Sequence, residues 1–389
     1  MHVSFPCSPN IQGYRSRRIL TMDPRQPVLN DGLLWVSPGF IRAVGPYPSR
    51  KDDFPAPIQD LGEHTMVPGL INAHTHLELS HLHGLTTPGQ GFTAWVHSLL
   101  QLPIKQVQPE RIHLAIEEML GQGVAGIGDI SGHNPHAMHE IHTELPIPSR
   151  LFVEFLGFSP QPTPVSWPVN SPPDDTRLAG AGHALYSTHP DTLQTVKSWT
   201  VRHERPFSMH LAEHAGELDL LTTGRGDFAD LLRGRLLPSS YRPPGHSPVA
   251  YADRLGLLDQ RTLAVHCVHI TSQDIEILRQ RKVHVCLCPR SNAYIHCGRP
   301  PAEELSAAGV PLCLGTDGLS SNYDLNLWHE AGHLASMWRG NLSLTELISL
   351  ITINPAQALG LEQRMGSLQP GKLDRFSLVP KELEGGLPL

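Results

Sequence analysis

Short apolar segments alternate with longer amphipathic stretches through most of the chain, from Pro68 to about residue 317. Runs of about four to eight apolar residues bounded by turn residues are typical of buried strands, and apolar residues three or four positions apart indicate helices. The predicted strands are Leu70–Ala73, Val124–Asp129, Leu151–Phe158, His183–Ser187, Phe207–Leu211, Leu263–Val268, Val283–Leu287 and Pro311–Gly315. The clearest predicted helices are Pro109–Gln122, Asp191–His203, Ser272–Arg281 and Glu303–Ala308.

This alternation of strand and helix favours the α/β class. Eight strands with helices between them predict a (β/α)8 TIM-like barrel, whose functional site lies at the carboxyl ends of the strands. An open, doubly wound sheet is the alternative. Because no Gly-x-Gly-x-x-Gly sequence follows the first strand, a dinucleotide-binding site has no support.

Both ends of the chain differ from the barrel pattern. Residues 1–66 contain short apolar runs separated by turn residues and show no helical period, which is typical of β-hairpins. Beyond a helix that ends near Ala358, the last apolar run is Phe376–Val379. We therefore predict a catalytic barrel over residues 67–359 and a small composite β-sandwich domain formed by residues 1–66 and 360–389.

Two segments rich in Pro and Gly interrupt the barrel pattern, residues 159–182 and 222–248. Irregular segments of this length inside a compact domain are usually lids or binding loops rather than linkers. We interpret both segments as loops of that kind.

The composition is that of a globular protein with a net charge of −7, and no basic patch favours binding to nucleic acid. The apolar runs are too short to span a bilayer and the N-terminus lacks the pattern of an export signal, so we expect a cytoplasmic protein without a membrane partner. The six cysteines do not form a secreted disulfide framework. Cys286 and Cys288 are interpreted as buried strand residues rather than as a soft metal site.

Histidines and carboxylates stand at the ends of several predicted strands. His74 and His76 follow the first strand, and residues two apart on a strand point to the same side, so both imidazoles can bind one metal ion. His210 is near the end of the fifth strand, and Glu213 follows it where a carboxylate can move the proton of an activated water. Asp317 follows the eighth strand and can add one oxygen ligand. Together these residues predict a site for one divalent metal ion, Zn²⁺ or Fe²⁺.

The sixth strand carries two further histidines at its end, His266 and His269. Either could hydrogen-bond the attacking water or a developing oxyanion, and the spacing does not decide between them. Each signal has an ordinary explanation when taken alone, such as a surface His pair or an Asp-Gly turn at Asp317. Their recurrence at the ends of several strands is what favours a catalytic site.

With these motifs in order, the sequence resembles the amidohydrolase superfamily, in its single-metal deaminase branch. The motifs that carry the resemblance extend over nearly the whole chain: Pro68–His76, His210–Glu213, Val265–His269, Cys288–Asn292 and Leu314–Asn322. The resemblance implies that Glu213 is the proton shuttle and that His266 and Asp317 hold the water. It also implies that the metal ligands are His74, His76, His210 and Asp317. We assign substrate contacts to His183, Trp95, Glu213 and Asn292.

Within this branch, the stretches His74–Ser80, Gly91–Val96 and Ser247–Tyr251 look most similar to enzymes that deaminate 6-amino-6-deoxyfutalosine in menaquinone synthesis. Deaminases of S-adenosylhomocysteine and methylthioadenosine are the alternative. The implied reaction is hydrolytic loss of ammonia from an aminopurine ring, so we expect a small aminopurine nucleoside as substrate. The sequence leaves open whether the chain forms a homodimer. One departure from the family pattern, Asp374-Arg375 in place of Ala-Asp, concerns the edge of the β-domain.

Other functions compete with this interpretation. His329, Glu330 and His333 match the His-Glu-x-x-His pattern of zinc proteases on a predicted helix. The histidines that recur at every third position from His133 to His142 could bind a stray metal ion. Hydrolysis of another leaving group, such as an amide or chloride, would use the same site. A barrel that binds an aminopurine without turnover is the non-enzyme alternative, although such a protein has no need of a proton shuttle.

Overall fold

The computed structural model describes residues 11–47, 57–159 and 175–389. In chain order its strands are β1 Gln12–Leu20, β2 Val28–Ser37, β3 Phe40–Pro46, β4 Ile58–Asp60, β5 Thr65–Pro68, β6 Leu70–Thr75, β7 Val124–Ser131, β8 Ser149–Phe155, β9 Leu178–Gly182, β10 Phe207–Leu211, β11 Thr262–His266, β12 His284–Leu287, β13 Leu312–Leu314 and β14 Phe376–Leu378.

A 3₁₀ helix, Leu77–Leu82, follows β6. The α-helices are α1 Phe92–Leu99, α2 Pro109–Gly121, α3 Pro135–Glu144, α4 Pro190–Arg202, α5 Ala215–Thr223, α6 Asp227–Leu232, α7 Pro248–Arg254, α8 Ser272–Arg281, α9 Pro289–Ile295, α10 Ala302–Ala307, α11 Leu327–Met337, α12 Leu344–Ser349, α13 Ile353–Ala358 and α14 Lys381–Glu384. Among the described residues, none of these helices has both the length and the apolar character that crossing a membrane requires.

Strands β6 to β13 form one parallel eight-stranded sheet in chain order. Helices lie between successive strands except between β8 and β9, where residues 160–174 lie outside the described residues. The two edges of this sheet meet through Asn72, whose side chain donates to Thr316 Oγ1 at 2.7 Å, and through the Asp317 N–H, which donates to the His74 carbonyl at 3.0 Å. Apolar side chains of the strands are almost wholly buried, as helices covering a parallel sheet require. The predicted (β/α)8 barrel is confirmed.

The fourth barrel strand lies earlier in the chain than predicted. It is β9, Leu178–Gly182, and not His183–Ser187. Its Leu-Ala-Gly-Ala-Gly sequence has low strand propensity, so it gives no local signal. Small residues fit there because α4 packs closely: a Cβ at Gly182 would lie 2.0 Å from Leu193 Cδ2. His183 therefore stands directly after the strand, at the end of the barrel where the other predicted site residues lie.

Both predicted loops contain regular structure. β9 occupies the end of the first segment, of which residues 160–174 lie outside the described residues. The second segment contains α6, which buries Phe228, Ala229 and Leu232. A helix this short between Gly and Pro residues shows too few turns for its apolar spacing to be recognised.

The two chain ends build a second sheet beside the barrel. β14 pairs with β5, which is followed by β1, β2 and β3, and β4 adds to β1. Within the described residues this layer is one six-stranded sheet, and its core includes Ile19, Leu34, Ile41 and Met66. The contribution from both ends agrees with the predicted composite domain, whereas its exact boundaries remain a prediction.

Candidate active site

Four side chains predicted as metal ligands converge at the carboxyl end of the barrel. His76 Nε2 lies 3.2 Å from His74 Nε2 and 3.3 Å from His210 Nε2. Asp317 Oδ1 lies 3.5 Å from His74 Nε2 and 3.4 Å from His76 Nε2. All four ligand atoms lie within 4.8 Å of one another. Three imidazole nitrogens and one carboxylate oxygen at this spacing fit a divalent ion such as zinc.

The surroundings keep the imidazoles in the form that binds metal. His210 Nδ1 lies 3.0 Å from the carbonyl of His183, so Nδ1 carries the hydrogen and Nε2 keeps its lone pair. Burial lowers the pKa of His210 to about 4, and the neighbouring His74 adds to this effect. Burial also lowers the pKa of His76 well below its usual value. Both imidazoles are therefore neutral at pH 7, as metal ligation requires.

Asp317 is fixed by hydrogen bonds on the side away from the histidines. Its Oδ2 accepts from the hydroxyls of Ser291 and Ser321, both at 2.7 Å, while Oδ1 faces the imidazoles. Its backbone has φ +58°, and its carbonyl accepts from Thr75 Oγ1 at 3.1 Å. A non-glycine residue in the left-handed region costs free energy, so these contacts are what hold the carboxylate in place.

Glu213 and His266 form a pair beside the four ligands. Glu213 Oε1 lies 3.5 Å from His266 Nε2, and both side chains are buried. Burial raises the pKa of Glu213 well above its usual value, and the charge of Asp317 raises it further. Burial lowers the pKa of His266 to about 3. A carboxyl group that can hold a proton beside a neutral imidazole is suited to general acid–base chemistry.

The structure distinguishes between the two histidines of the sixth barrel strand. His266 lines the cavity described below, whereas His269 Nε2 lies 2.7 Å from the carbonyl of Cys297. Asn292 Nδ2 lies 3.1 Å from His266 Nδ1. With the amide donating, the ring hydrogen is placed on Nε2, toward the cavity. This geometry lets Asn292 position the ring of His266, and the substrate contact predicted for Asn292 stays a prediction.

A cavity of about 550 Å³ opens over these groups. The predicted substrate contacts His183 and Trp95 both line it. Trp95 Nε1 donates to the carbonyl of Ser320 at 2.8 Å, which fixes the indole in the wall. The volume lies within the usual range for small-molecule sites. Apolar side chains dominate the wall away from the four ligands: Phe92, Val96, Leu99, Leu100, Ile104, Leu156, Phe228, Leu231, Leu232 and Leu236.

Two carboxylates that line the cavity were not predicted from the sequence. Glu78 accepts from Ser131 Oγ at 2.7 Å and from three consecutive backbone amides, those of residues 132–134. Glu154 lies near His183 and His210, and burial raises its pKa to about 8, with Glu78 adding to the effect. Glu78 therefore holds the loop after β7, whereas Glu154 contributes a protonatable group to the cavity.

The protease pattern does not form a metal site. Glu330 is fully buried and accepts from Asn322 Nδ2 at 2.7 Å, whereas His329 is exposed and pairs with Asp324. The metal-capable groups found among the described residues do not include His329, Glu330 or His333.

The histidines from His133 to His142 do not share one site, because those with a hydrogen-bond partner contact different residues. His139 lies 2.8 Å from Asp175, and His142 lies 3.0 Å from Asp129. His133 lines the cavity. Cys286 and Cys288 are fully buried, in agreement with their predicted structural role.

The chain matches one protein family over most of its length. The model of the amidohydrolase family matches residues 65–384. Two relatives described as 5-methylthioadenosine/S-adenosylhomocysteine deaminase come from Moorella thermoacetica and Nitratidesulfovibrio vulgaris. The first is 28% identical, over 91% of this chain and 82% of the relative. The second is 29% identical, over 84% and 72%.

Two solved structures share the fold. A zinc-bound adenosine deaminase from Xanthomonas campestris is 26% identical with a TM-score of 0.74, over 94% of this chain and 83% of that one. The Helicobacter pylori aminofutalosine deaminase in complex with methylthio-coformycin is 24% identical with a TM-score of 0.77, over 94% and 91%. The family match covers most of the sequence, so the chain belongs to the amidohydrolase family and lies in its deaminase branch.

Proposed function

We propose that this protein is a metal-dependent hydrolase that removes ammonia from the aminopurine ring of a nucleoside with a substituted 5′ position. The observation that carries the proposal is one cavity that brings together the four ligands and the Glu213–His266 pair. The relatives named as nucleoside deaminases support the same reaction. A protein that only bound an aminopurine would have no use for a buried proton shuttle.

The residues present fit a divalent metal ion. The ligands His74, His76, His210 and Asp317 offer three imidazole nitrogens and one carboxylate oxygen. The Nδ1 atoms of His74 and His210 lie on the sides of the rings that face away from the shared centre. When bound, the metal supplies Lewis acidity that lowers the pKa of water to near neutrality. Zinc in the Xanthomonas campestris structure supports zinc, and Fe²⁺ is the alternative.

Three side chains, Glu213, His266 and Asp317, transfer the protons or hold the attacking water. Glu213 takes one proton from the attacking water and delivers it to the ring nitrogen. It then takes the second proton from the hydroxyl added to the ring carbon and delivers it to the amino group, which leaves as ammonia. Its raised pKa lets it hold each proton between the two partners. His266 donates from Nε2 to the oxygen that attacks the ring carbon. Asp317 Oδ1 accepts from the same water.

Two kinds of nucleoside, which differ in the group at the 5′ position, are the leading candidates for the substrate. The motifs around His74–Ser80 favour 6-amino-6-deoxyfutalosine, which would yield futalosine and ammonia in menaquinone synthesis, and the Helicobacter pylori neighbour has the same fold. The curated relatives favour methylthioadenosine or S-adenosylhomocysteine.

A screen for ammonia release tests the proposal directly. The zinc-loaded protein is incubated separately with aminodeoxyfutalosine, methylthioadenosine, S-adenosylhomocysteine and adenosine, with guanine and a pterin as controls. We expect release from the nucleosides and none from the controls. Release from the controls alone, or from no substrate with either zinc or iron loaded, would contradict the proposed function.

A further inference from the structure

The predicted proton shuttle Glu213 lies two residues beyond the end of β10, on a strained turn. Ala212, which precedes it, has φ +52°, and a non-glycine residue in this left-handed region costs free energy. On the other side of the pair, His266 has φ +77° and Cys267 has φ +49°. Both members of the Glu213–His266 pair are therefore carried by backbone that needs outside contacts to keep its conformation.

The segment after β11 holds one side of this turn. The carbonyl of Ala212 accepts from the backbone amides of Val268 and His269, at 2.9 and 2.8 Å. These two bonds join the end of β10 to the end of the neighbouring strand. They satisfy the carbonyl of the turn, whereas the backbone amide of Glu213 takes its acceptor from another element.

The side chain of Glu217 supplies that acceptor. Its Oε2 accepts from the backbone amide of Glu213 at 3.0 Å. Glu217 is the third residue of α5, and a Glu at this position commonly reaches back to the amide of the N-cap residue. Here the carboxyl group reaches one residue further, past the N-cap His214, to the residue that carries the shuttle. This hydrogen bond therefore connects the start of α5 to the backbone of Glu213.

Glu217 acts from outside the cavity. Its exposed fraction is 0%, and it is not one of the described residues that line the cavity. Its second oxygen, Oε1, is buried and has no hydrogen-bond partner within the described part of the chain. Burial raises the pKa of Glu217 to about 7, and the amides of Glu213 and Ala212 oppose this shift. The contact of Glu217 with the acid–base pair is thus made through the backbone of Glu213.

We propose that Glu217 is a positioning residue, which holds the backbone of Glu213 so that the shuttle carboxyl group faces His266 and the attacking water. This inference rests on the proposed function, since it takes Glu213 as the proton shuttle. It deepens that function by assigning the placement of the shuttle to a hydrogen bond from α5. Loss of this bond frees a strained turn, and a displacement of about 1 Å in a reacting group can cost a hundredfold in rate.

Two variants at position 217 test this role. Glu217→Leu keeps a similar volume and removes both acceptor oxygens, whereas Glu217→Gln keeps one oxygen that can accept from the amide of Glu213. With the best substrate of the ammonia-release screen, we expect Glu217→Leu to lower kcat by about a hundredfold and to leave KM nearly unchanged. Glu217→Gln should bring kcat back to within about tenfold of the wild type, since its hydrogen bond is weaker than that of a carboxylate. Zinc content should be equal in all three proteins.

The matched control is Asp274→Ala. Asp274 is a buried carboxylate in the first turn of α8, and its Oδ2 accepts from the backbone amide of Thr271 at 2.8 Å. Both Asp274→Ala and Glu217→Leu remove a buried acceptor near the start of a helix, so both should lower the melting temperature. Only Glu217→Leu should lower kcat. An equal loss of kcat in the two variants, unchanged kcat in Glu217→Leu, or loss of zinc together with kcat would overturn the positioning role.

A third variant keeps the proposal testable if Glu217→Leu does not fold. Glu217→Asp retains a carboxylate but withdraws it from the amide of Glu213 by one methylene, so kcat should again fall while KM and zinc content stay the same. Wild-type kcat in folded Glu217→Asp, combined with an unfolded Glu217→Leu, would show that position 217 serves stability alone.

Failure of the proposed function gives a different result, because the wild type then releases no ammonia from any nucleoside in the screen. Crystal structures of the zinc-loaded wild type and of the folded variant at position 217 take the place of turnover. A Glu213 carboxyl group that has moved away from His266, with the four ligands in place, would support the positioning role without the reaction. Glu213 in the same place in both structures would overturn it.

Discussion

At the scale of single residues, Glu213 lies beside the predicted metal ligands and has a carboxyl group that can gain and lose a proton. It lies 3.5 Å from His266, and it is not one of the four predicted ligands. In Glu213→Gln the side chain keeps its size but cannot carry the proton, so we expect ammonia release to fall by at least about a hundredfold. Metal content, measured by atomic spectroscopy on the same sample, should stay unchanged. Wild-type turnover in this variant would remove Glu213 from the mechanism.

Asn292 acts one step further from the substrate. Its amide sets which nitrogen of His266 carries the hydrogen, so Asn292→Ala should let the imidazole change its tautomer or rotate. We expect kcat to drop by about tenfold to a hundredfold, while KM and metal content change little. A purely structural role for Asn292 would instead lower the melting temperature and the metal content together with kcat.

The residues that could be predicted are those whose position follows from a local rule. His74 and His76 follow from strand alternation, and Asp317 follows from the end of a strand in a barrel. Asn292 could not be placed, because its contact with His266 depends on how α9 packs against β11. Glu154 was missed for a simpler reason: β8 was expected to end at Phe158, and with its true end at Phe155 the carboxylate lies at the carboxyl end of the strand.

At the scale of elements, the positions of the strands could be predicted where the strands contain large apolar residues, and could not be predicted where helix packing requires small ones. Strands with large apolar residues at alternate positions, such as Phe207, Met209 and Leu211 of β10, were placed within a residue or two. β9 was misplaced because its Ala and Gly residues are selected by close packing against α4 and not by strand propensity. Phe228 and Leu232 had no sequence signal as cavity residues, because their place in the wall depends on the short helix α6, which lies between Gly and Pro residues.

Another close approach, at the end of β13, leads to a prediction on stability. A Cβ at Gly315 would lie 2.8 Å from both the Cβ and the carbonyl oxygen of His74, and 2.9 Å from Cys286 Sγ. Because part of this contact is backbone, Gly315→Ala must displace β6 or β13. We expect a loss of about 1–3 kcal/mol in the free energy of unfolding, with weaker metal binding.

The matched control is Gly121→Ala, where a Cβ would meet no atom within 4 Å. Gly121 is the last residue of α2, and alanine favours the helix, so stability should be equal or slightly higher. Denaturant unfolding of the two variants gives the comparison. Equal stability and equal zinc affinity of Gly315→Ala and wild type would show that the barrel end adapts more easily than its packing indicates.

At the scale of the whole molecule, the predicted ligands connect distant parts of the barrel. His74 and His76 belong to β6 and its end, His210 belongs to β10, and Asp317 follows β13, which meets β6 where the barrel closes. These side chains converge only in the folded chain. A metal ion bound by all of them therefore stabilises the folded state relative to the unfolded one.

Removal of the metal by a chelator should consequently lower the melting temperature, and added zinc should restore it. At a free zinc concentration of one hundred times Kd, the expected stabilisation is about 2.7 kcal/mol, less any binding to the unfolded chain. The increase should be lost in His210→Ala. It should persist in His329→Ala/His333→Ala, since those residues of α11 lie outside the metal-capable group. Loss of the increase in the α11 variant, with full retention in His210→Ala, would move the metal site to α11 and restore the protease interpretation.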